Sequence, residues 1–308
     1  MLTAEPADVA QVERTPLQPL SALTEFVGTA RLWIKRDDLF PFGGAKFRKA
    51  MAAARQARNS GAEIVVTEGS VESQHARALA IAARLAQLRC ILVLSPERGN
   101  DAKPTLLDDA EGAEIVLVSD AGARAATVRR VVARLRRQGR RVTAVPFSGS
   151  TPMATLSYAW AFEELLEQAA TQGCGTLRAI VLASATGGIQ SGLELGKLRT
   201  GSHVQIVGVS PGLNPAAARR RIVRLVNSAG KLLGESHSLR SNVTVLTEYA
   251  GPGYLKSSAP SAAARELFAR MENIELDQVY TAKAAAAFLD LARCATRGDA
   301  IVFWHSAG

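Results

Sequence analysis

The chain has 308 residues, of which 47% are hydrophobic and 21% are charged, and its formal net charge is +9. This composition is that of a globular protein with enough apolar material for a sizeable core, and it argues against a disordered chain. No apolar run approaches the ~18 residues that a membrane-spanning helix needs, and the first residues lack a secretory signal pattern. We therefore expect a cytoplasmic protein that does not bind a membrane.

Short β-branched runs alternate with longer amphipathic stretches along the chain. The predicted strands are Ile64–Thr67, Cys90–Leu94, Ile115–Ser119, Val142–Pro146, Ala179–Ala183, Val204–Val209 and Ala300–Trp304. The predicted helices are His75–Leu88, Ala121–Gln138, Met153–Thr171, Ile189–Leu198, Pro215–Ala229, Ser261–Met271 and Thr281–Thr296. Because the strands are apolar throughout rather than alternating, they predict an α/β fold with parallel-rich sheets covered by helices on both faces.

The positive charge is concentrated in arginine-rich stretches, above all 129–141. Val128, Val131 and Leu135 recur there at helical spacing, which places the arginines on the opposite, solvated face of a helix. A nucleic-acid surface is the alternative, but no aromatic-interleaved basic motif or zinc knuckle supports it. We expect no nucleic-acid partner.

Cysteines and histidines are too few and too scattered for a metal site. The chain has 3 cysteines and 4 histidines, and none are spaced as a metal-binding pair. An odd number of widely separated cysteines suits a reduced compartment. The sequence predicts neither a metal nor a disulfide framework.

Lys46 follows two glycines, Gly43 and Gly44, where a helix is expected to begin. Glycines let another group approach the backbone closely, and the electropositive amino end of a helix helps to keep an amine neutral. A neutral lysine is what Schiff-base chemistry requires. An ordinary surface lysine is the alternative that this pattern leaves open.

Two further polar segments each follow a predicted strand and open a helix. In TEGSVESQHAR, residues 67–77, the N–H groups of the helix start suit an anion such as a carboxylate, and helix capping by Ser73 is the alternative. In SATGGIQSG, residues 184–192, glycines, N–H groups and the Thr186 hydroxyl suit a monophosphate, and a tight structural turn is the alternative. The second segment matches neither G-x-G-x-x-G nor a Walker loop.

Together these segments resemble a known enzyme family. RDDLFPFGGAKFRK is similar to the RDDL…GGNKxRK signature of the family that contains D-cysteine desulfhydrase and 1-aminocyclopropane-1-carboxylate (ACC) deaminase. TEGSVESQHAR and ATGGIQSGLELG resemble its GGIQSNHxR and phosphate loops, and EYAGPGY, VYTAKA and FWHSAG resemble its GPGYG, VYTGKA and FLHTGG blocks. Order and spacing hold from Pro16 to Gly308.

The resemblance implies a fold type II, tryptophan synthase β-like enzyme that uses pyridoxal 5'-phosphate. Such enzymes have two α/β domains and are usually homodimers. We expect a large cofactor-binding domain formed by residues 1–49 and 160–308 and a small domain formed by residues 50–159. The expected partner is a small amino-acid substrate.

The resemblance also implies the residues that hold the cofactor. Lys46 matches the Schiff-base lysine, Gln74 takes the place of an Asn that faces the phenolic oxygen, and Thr281 matches the partner of the pyridine nitrogen. The phosphate loop comprises Thr186, Gly187, Gly188, Ile189 and Gln190.

Three further residues match positions that contact the substrate. Ser73 matches the residue that holds the substrate carboxylate, while Tyr254 and Tyr280 match the two active-site tyrosines. The expected catalytic set is therefore Lys46, Ser73, Tyr254 and Tyr280.

Thr281 bears on the reaction type, because ACC deaminases resemble one another in carrying Glu there while the desulfhydrase branch carries Thr. A hydroxyl can bind the pyridine nitrogen but cannot hold it protonated as a carboxylate does. The weaker electron sink favours β-elimination, giving a 2-oxo acid and ammonia. Three alternatives stay open: ACC-like ring opening, β-replacement or racemisation in a biosynthetic relative, and a catalytically silent protein that binds the cofactor.

Several departures from the family pattern leave the substrate open. Ala45 and Gln74 each replace Asn, and Ile189 replaces a hydroxyl residue in the phosphate loop. Glu72 replaces Gln beside the carboxylate loop. A carboxylate there repels a substrate carboxylate unless it points away or recognises a cationic part of another substrate.

Overall fold

The computed structural model describes residues 14–40, 44–96, 112–212, 214–235, 239 and 243–306. The chain divides into two compact units, one formed by Met1–Phe40 and Thr155–Gly308 and the other by Pro41–Ala154. In the described ranges, no helix combines the length and the apolar character needed to cross a bilayer. Each unit is built around its own sheet.

The larger unit is built on one mixed sheet with the strand order β1-β2-β10-β7-β8-β9. Only the pairing of β1 with β2 is antiparallel. The strands are β1 (Leu17–Pro19), β2 (Arg31–Arg36), β7 (Thr176–Ala183), β8 (Gln205–Val209), β9 (Thr244–Leu246) and β10 (Asp299–His305). The helices are α1 (Ser21–Val27), α5 (Pro152–Thr171, whose first turn belongs to the smaller unit), α6 (Gly188–Thr200), α7 (Pro215–Leu232), α8 (Ala259–Glu272) and α9 (Thr281–Arg293).

The smaller unit carries a fully parallel sheet with the strand order β5-β4-β3-β6. Its strands are β3 (Ile64–Ser70), β4 (Arg89–Ser95), β5 (Glu114–Leu117) and β6 (Val142–Ala144). Its helices are α2 (Ala45–Asn59), α3 (Gln74–Leu85) and α4 (Ala121–Arg137). Strands β3 and β4 are almost entirely buried, as the apolar runs Ile64–Val66 and Cys90–Leu94 within them predict.

The predicted α/β class and the predicted strands and helices are confirmed, with shifts at their ends. The arginine-rich segment forms α4, which buries Val131, Val132 and Leu135 and leaves Arg129 and Arg134 exposed. Strands β1, β2 and β9 were not predicted. Strand β2 carries a buried lysine, Lys35, which masks its apolar character, and β1 and β9 have only three residues each.

The observed division of the chain differs from the predicted domain boundaries. The smaller unit begins at Pro41 and ends at Ala154, whereas residues 50–159 were expected. Lys46 and the start of α2 therefore belong to the smaller unit, because α2 packs along α3 in that unit. The assignment of cofactor binding to the larger unit stays a prediction.

Three aromatic rings anchor the core of the larger unit. Phe268 of α8 lies 5.4 Å from Phe303 of β10 and 6.1 Å from Phe288 of α9, measured between ring centroids. Phe288 and Phe303 are themselves 5.5 Å apart, and all three side chains are fully buried. This cluster joins two helices to the centre of the sheet.

We expect Phe268→Ala to lower the free energy of unfolding by about 3–5 kcal/mol, because it removes a buried ring and leaves a cavity. Phe26→Ala is the matched control, since Phe26 is 53% exposed, and it should change the free energy by less than about 0.5 kcal/mol. Chemical denaturation of both variants measures the difference. Equal effects would show that the ring cluster does not anchor this unit.

Candidate functional site

Lys46 lies in the first turn of α2, in the smaller unit. The helix begins after Gly44, which has a φ of 55°, and no side chain caps its amino end in the described residues. Burial lowers the pKa of Lys46 from its ordinary value. The side chain also has no hydrogen-bond partner among the described residues. The lowered pKa favours the neutral amine that Schiff-base chemistry requires, and the role of Lys46 stays a prediction. Gly43 lies outside the described residues.

Ser73 follows β3 and caps α3. Its Oγ accepts a hydrogen bond from the N–H of Ala76 at 3.2 Å. A Cβ at Gly69 would lie 2.6 Å from both Cβ and Oγ of Ser73, so the serine packs directly on that glycine. The capping alternative is therefore realised, and the hydroxyl hydrogen remains available to donate to a carboxylate.

Gln74 and Glu72 flank this serine on the surface of the smaller unit. Gln74 is the first residue of α3, and both side chains are exposed. Exposure lets either side chain meet a ligand or solvent.

His75 is a buried titratable group close to Lys46. Its Nε2 lies 3.1 Å from the Oγ1 of Thr67, which donates its own hydrogen to the carbonyl of Val145. Nε2 therefore carries the proton, and the buried Nδ1 has no partner in the described residues. Burial and the charges of Lys46 and Lys49 lower the pKa of His75 to about 3. This neutral imidazole was quoted in the sequence motif but was not predicted as a site residue.

In the larger unit, the predicted phosphate loop joins β7 to α6. Gly187 has a φ of 75°, and a Cβ there would lie 2.6 Å from Cγ1 of Ile222 in α7. Gly188 and Ile189 are buried at the start of α6, and no side chain caps this helix end within the described part of the chain. A buried, uncapped helix start leaves N–H groups that need an acceptor.

Ser184, which precedes this loop, and Gln190, which ends it, have different hydrogen-bonding environments. The Ser184 hydroxyl is buried and has no hydrogen-bond partner in the described ranges. The side chain of Gln190 instead binds the carbonyl of Thr244 at 2.8 Å and packs against Gly208. The amide nitrogen of Gln190 is therefore occupied, and its buried Oε1 has no hydrogen-bond partner in the described residues. The donor that Gln190 can offer a ligand is its backbone N–H.

The two predicted tyrosines lie side by side in the larger unit. The hydroxyls of Tyr254 and Tyr280 are hydrogen-bonded to each other. Their rings meet edge to face, with centroids 5.8 Å apart at an angle of 76°. Tyr254 is 50% exposed, so this pair presents phenolic oxygens at the surface of its unit.

Thr281 is fully buried at the start of α9, and its hydroxyl is committed to Asp277. The hydroxyl donates to the Asp277 carboxylate and accepts from the Asp277 N–H at 2.8 Å. The same carboxylate accepts from the N–H groups of Val279, Tyr280 and Thr281 at 2.7–2.9 Å. Asp277 was missed from sequence, although an Asp just before a helix is a recognisable capping signal.

Lys283 is a second residue that sequence reasoning passed over. It is fully buried in the first turn of α9, and its Nζ donates to the carbonyls of Ala250 at 2.6 Å and Gly253 at 2.8 Å. Burial lowers its pKa, and the charge of Asp277 opposes that effect. Lys283 belongs to the VYTAKA segment, but no sequence signal shows where its amine points.

Asp37 of the RDDL segment has a structural role. Its buried carboxylate accepts from the Thr15 hydroxyl at 2.8 Å and from Nε1 of Trp304 at 2.9 Å. It thereby ties the end of β2 to β10.

The chain is similar in sequence to several known proteins. A family model described as pyridoxal-phosphate dependent enzyme matches residues 10–307. D-cysteine desulfhydrase of Yersinia enterocolitica is 31% identical over 304 residues, covering 96% of this chain and 91% of that protein. A Pyrococcus horikoshii protein provisionally named 1-aminocyclopropane-1-carboxylate deaminase is 33% identical over 301 residues, covering 96% of this chain and 89% of that protein.

A solved structure is also similar. The crystal structure of an ACC deaminase homologue superposes with a TM-score of 0.79 at 30% sequence identity. The match covers 98% of this chain and 93% of that one. The predicted fold type is confirmed.

The neutral His75 predicts a pH dependence of stability. In the unfolded chain the imidazole takes up a proton below its ordinary pKa of 6.5, whereas the folded protein resists protonation down to about 3. Stability is thus fully present above pH 6.5 and falls with pH through that window, by up to about 1.4 kcal/mol per pH unit. His75→Gln should flatten the decline between pH 7 and pH 5, as measured by urea unfolding.

His203→Gln is the control, because His203 is an exposed histidine. The stability of this variant should fall between pH 7 and pH 5 as that of the wild-type protein does. If His75→Gln and wild type lose the same stability over this range, His75 is not the buried neutral group described.

Proposed function

The chain belongs to the family of pyridoxal-phosphate-dependent enzymes, and on that premise we propose that it is a lyase that eliminates a β-leaving group from a small amino acid, as a D-cysteine desulfhydrase does. The observation that carries the proposal is Thr281, which stands where ACC deaminases carry Glu. The products would be a 2-oxo acid, ammonia and the leaving group, which is sulfide for D-cysteine.

The observed residues fit the cofactor. The buried start of α6 has no cap of its own, and the Ser184 hydroxyl nearby has no partner among the described residues. A phosphate would satisfy both, because its oxygens accept hydrogen bonds from N–H groups and hydroxyls. We propose that Thr186, Gly187, Gly188, Ile189 and Gln190 hold the phosphate, the last two through their N–H groups.

Lys46 is the residue we propose for covalent attachment of the cofactor. Its lowered pKa raises the share of neutral amine, which is the form that condenses with a carbonyl. Lys283 is also buried, but its Nζ is occupied by carbonyl oxygens and is unsuited to attack. When bound, pyridoxal phosphate supplies an electron sink for bonds at the α-carbon of an amino acid.

The chain's own residues would bind the substrate and move its protons. Ser73, whose hydroxyl hydrogen is not used in capping α3, would donate to the substrate carboxylate. The Nζ of Lys46 would accept the proton from the α-carbon, because burial lowers its pKa and so raises the share of the neutral amine, which is the form that accepts a proton. The paired hydroxyls of Tyr254 and Tyr280 would orient the substrate or pass a proton to the leaving group.

A second candidate, ring opening of ACC, is favoured by the contact between Thr281 and Asp277. With its hydrogen held by the carboxylate, the hydroxyl offers lone pairs rather than a donor to any facing group. Such a hydroxyl would suit a protonated pyridine nitrogen, which is a stronger electron sink. If the hydroxyl turned away from Asp277, it would donate to a neutral nitrogen and favour elimination.

The oligomeric state is proposed on the family resemblance, and the location on the odd number of widely separated cysteines. We propose that the protein is a homodimer and that it acts in the cytoplasm. We also propose that Gln74, exposed at the start of α3, contacts the phenolic oxygen of the cofactor in place of the family's Asn.

The proposal predicts that D-cysteine is processed at least about tenfold more efficiently than ACC, in terms of kcat/KM, because the site favours expulsion of a leaving group. Release of 2-oxo acid from both compounds is measured on the cofactor-saturated protein. Lys46→Ala provides the blank for each compound. A clear preference for ACC would contradict the elimination proposal and favour ring opening.

A further inference from the structure

Lys283 places a positive charge in the interior of the larger unit with a shell of backbone carbonyls. Its Nζ donates to the carbonyls of Ala250 and Gly253 at 2.6 Å and 2.8 Å, and lies 3.3 Å from the Tyr254 carbonyl. The carbonyl of Pro211 is 3.5 Å away. An ammonium has three hydrogens, so the three nearest oxygens take them all.

Three of these carbonyls belong to loop backbone, and the fourth, that of Ala250, ends the short 3-10 helix Glu248–Ala250. Pro211 follows β8, while Ala250, Gly253 and Tyr254 lie in the segment that follows β9. The Lys283 side chain is fully buried, and its ammonium needs acceptors there, because an unpaired charge in the interior is costly. Lys283 thus supplies a donor to two loops at once.

The ammonium thereby fixes the backbone of Tyr254. The carbonyl of Tyr254 is one of the oxygens around Nζ, and the preceding residue provides another. On the other side, a Cβ at Gly212 would lie 3.6 Å from the Cα of Tyr254, so the two loops are already in close contact. The ring of Tyr254 remains half exposed while its backbone is held.

The same helix start carries the other tyrosine. Tyr280 immediately precedes α9, and Lys283 is the third residue of that helix. The first turn of α9 therefore holds one phenol directly and the second through the ammonium. The hydroxyls of these two phenols are hydrogen-bonded to each other.

We infer that Lys283 is a positioning residue, whose ammonium gathers the carbonyls of residues 250–254 and so places the Tyr254 hydroxyl beside Tyr280. The inference rests on the proposed function in assigning a catalytic purpose to the tyrosines. The residue acts through Tyr254 and does not itself touch the substrate.

Hydrogen exchange of the cofactor-saturated protein tests the attachment without any assay of activity. Lys283→Met keeps the length of the side chain but removes the donors, so amides in the peptide 248–258 should exchange at least about tenfold faster. Lys231→Met, at an exposed lysine in α7, is the matched control and should leave that peptide unchanged. Unchanged exchange in Lys283→Met would overturn the inference.

A double-mutant cycle tests whether Lys283 acts through Tyr254. Lys283→Met should lower kcat/KM for D-cysteine at least about tenfold in the wild-type background and less than about twofold in the Tyr254→Phe background. Losses that multiply independently would overturn the inference. A wild-type protein that does not turn over D-cysteine would contradict the proposed function instead, and hydrogen exchange would still decide the role of Lys283.

Lys283→Gln covers the case in which Lys283→Met does not fold. Glutamine keeps two N–H donors but no charge, so the peptide 248–258 should still exchange faster than in the wild-type protein. Full wild-type protection with glutamine would show that hydrogen bonds alone suffice and would overturn the role of the ammonium.

Discussion

Parallel strand pairing determines where this chain collects its polar groups. In a parallel sheet every strand ends at the same edge, and the helix that follows a strand begins there. In the larger unit that edge carries Gly187 after β7, Pro211 after β8 and the turn Glu248–Ala250 after β9. In the smaller unit the same rule places Ser73 after β3. Because the strands themselves are apolar, donors and acceptors for a ligand concentrate at these edges.

Burial has different consequences for Lys46 and Lys283. Lys46 and Lys283 are both lysines whose pKa is lowered by burial. Lys283 is surrounded by carbonyl oxygens that favour its ammonium form, whereas Lys46 has no hydrogen-bond partner in the described residues. The same desolvation thus leaves one amine suited to nucleophilic chemistry and makes the other a structural cation. His75 stays neutral mainly because it is buried, and the charges of Lys46 and Lys49 add to that effect.

Most of the fold was accessible from the sequence because it follows from local patterns, whereas the roles of the candidate loops were inferred from the family resemblance. Apolar runs predicted the parallel strands, and the glycines before Lys46 and within 184–192 predicted the helix starts. Strand β2 was not predicted, because its local sequence and its buried position in the fold conflict. Strand β2 contains Lys35, whose buried Nζ is paired with Glu164, a residue far away in the chain.

The role of Lys283 could not be predicted from the sequence for a different reason. Its partners come from loops after β8 and β9, and only the folded sheet brings these loops to the start of α9. Likewise, the packing of Gln190 against Gly208 removes its amide from the phosphate loop, which its position in the sequence does not reveal. Sequence patterns therefore located the loops, whereas tertiary packing determined which atoms in them remain available.

The central claim is that Lys46 carries pyridoxal phosphate, and chemical trapping tests it most directly. The purified protein should show a visible absorption band that borohydride abolishes, and peptide mapping should then find the reduced adduct on Lys46. The Lys46→Ala variant should keep its fold and yield no adduct. An adduct on Lys49 or on another lysine, or one that persists in Lys46→Ala, would contradict the account.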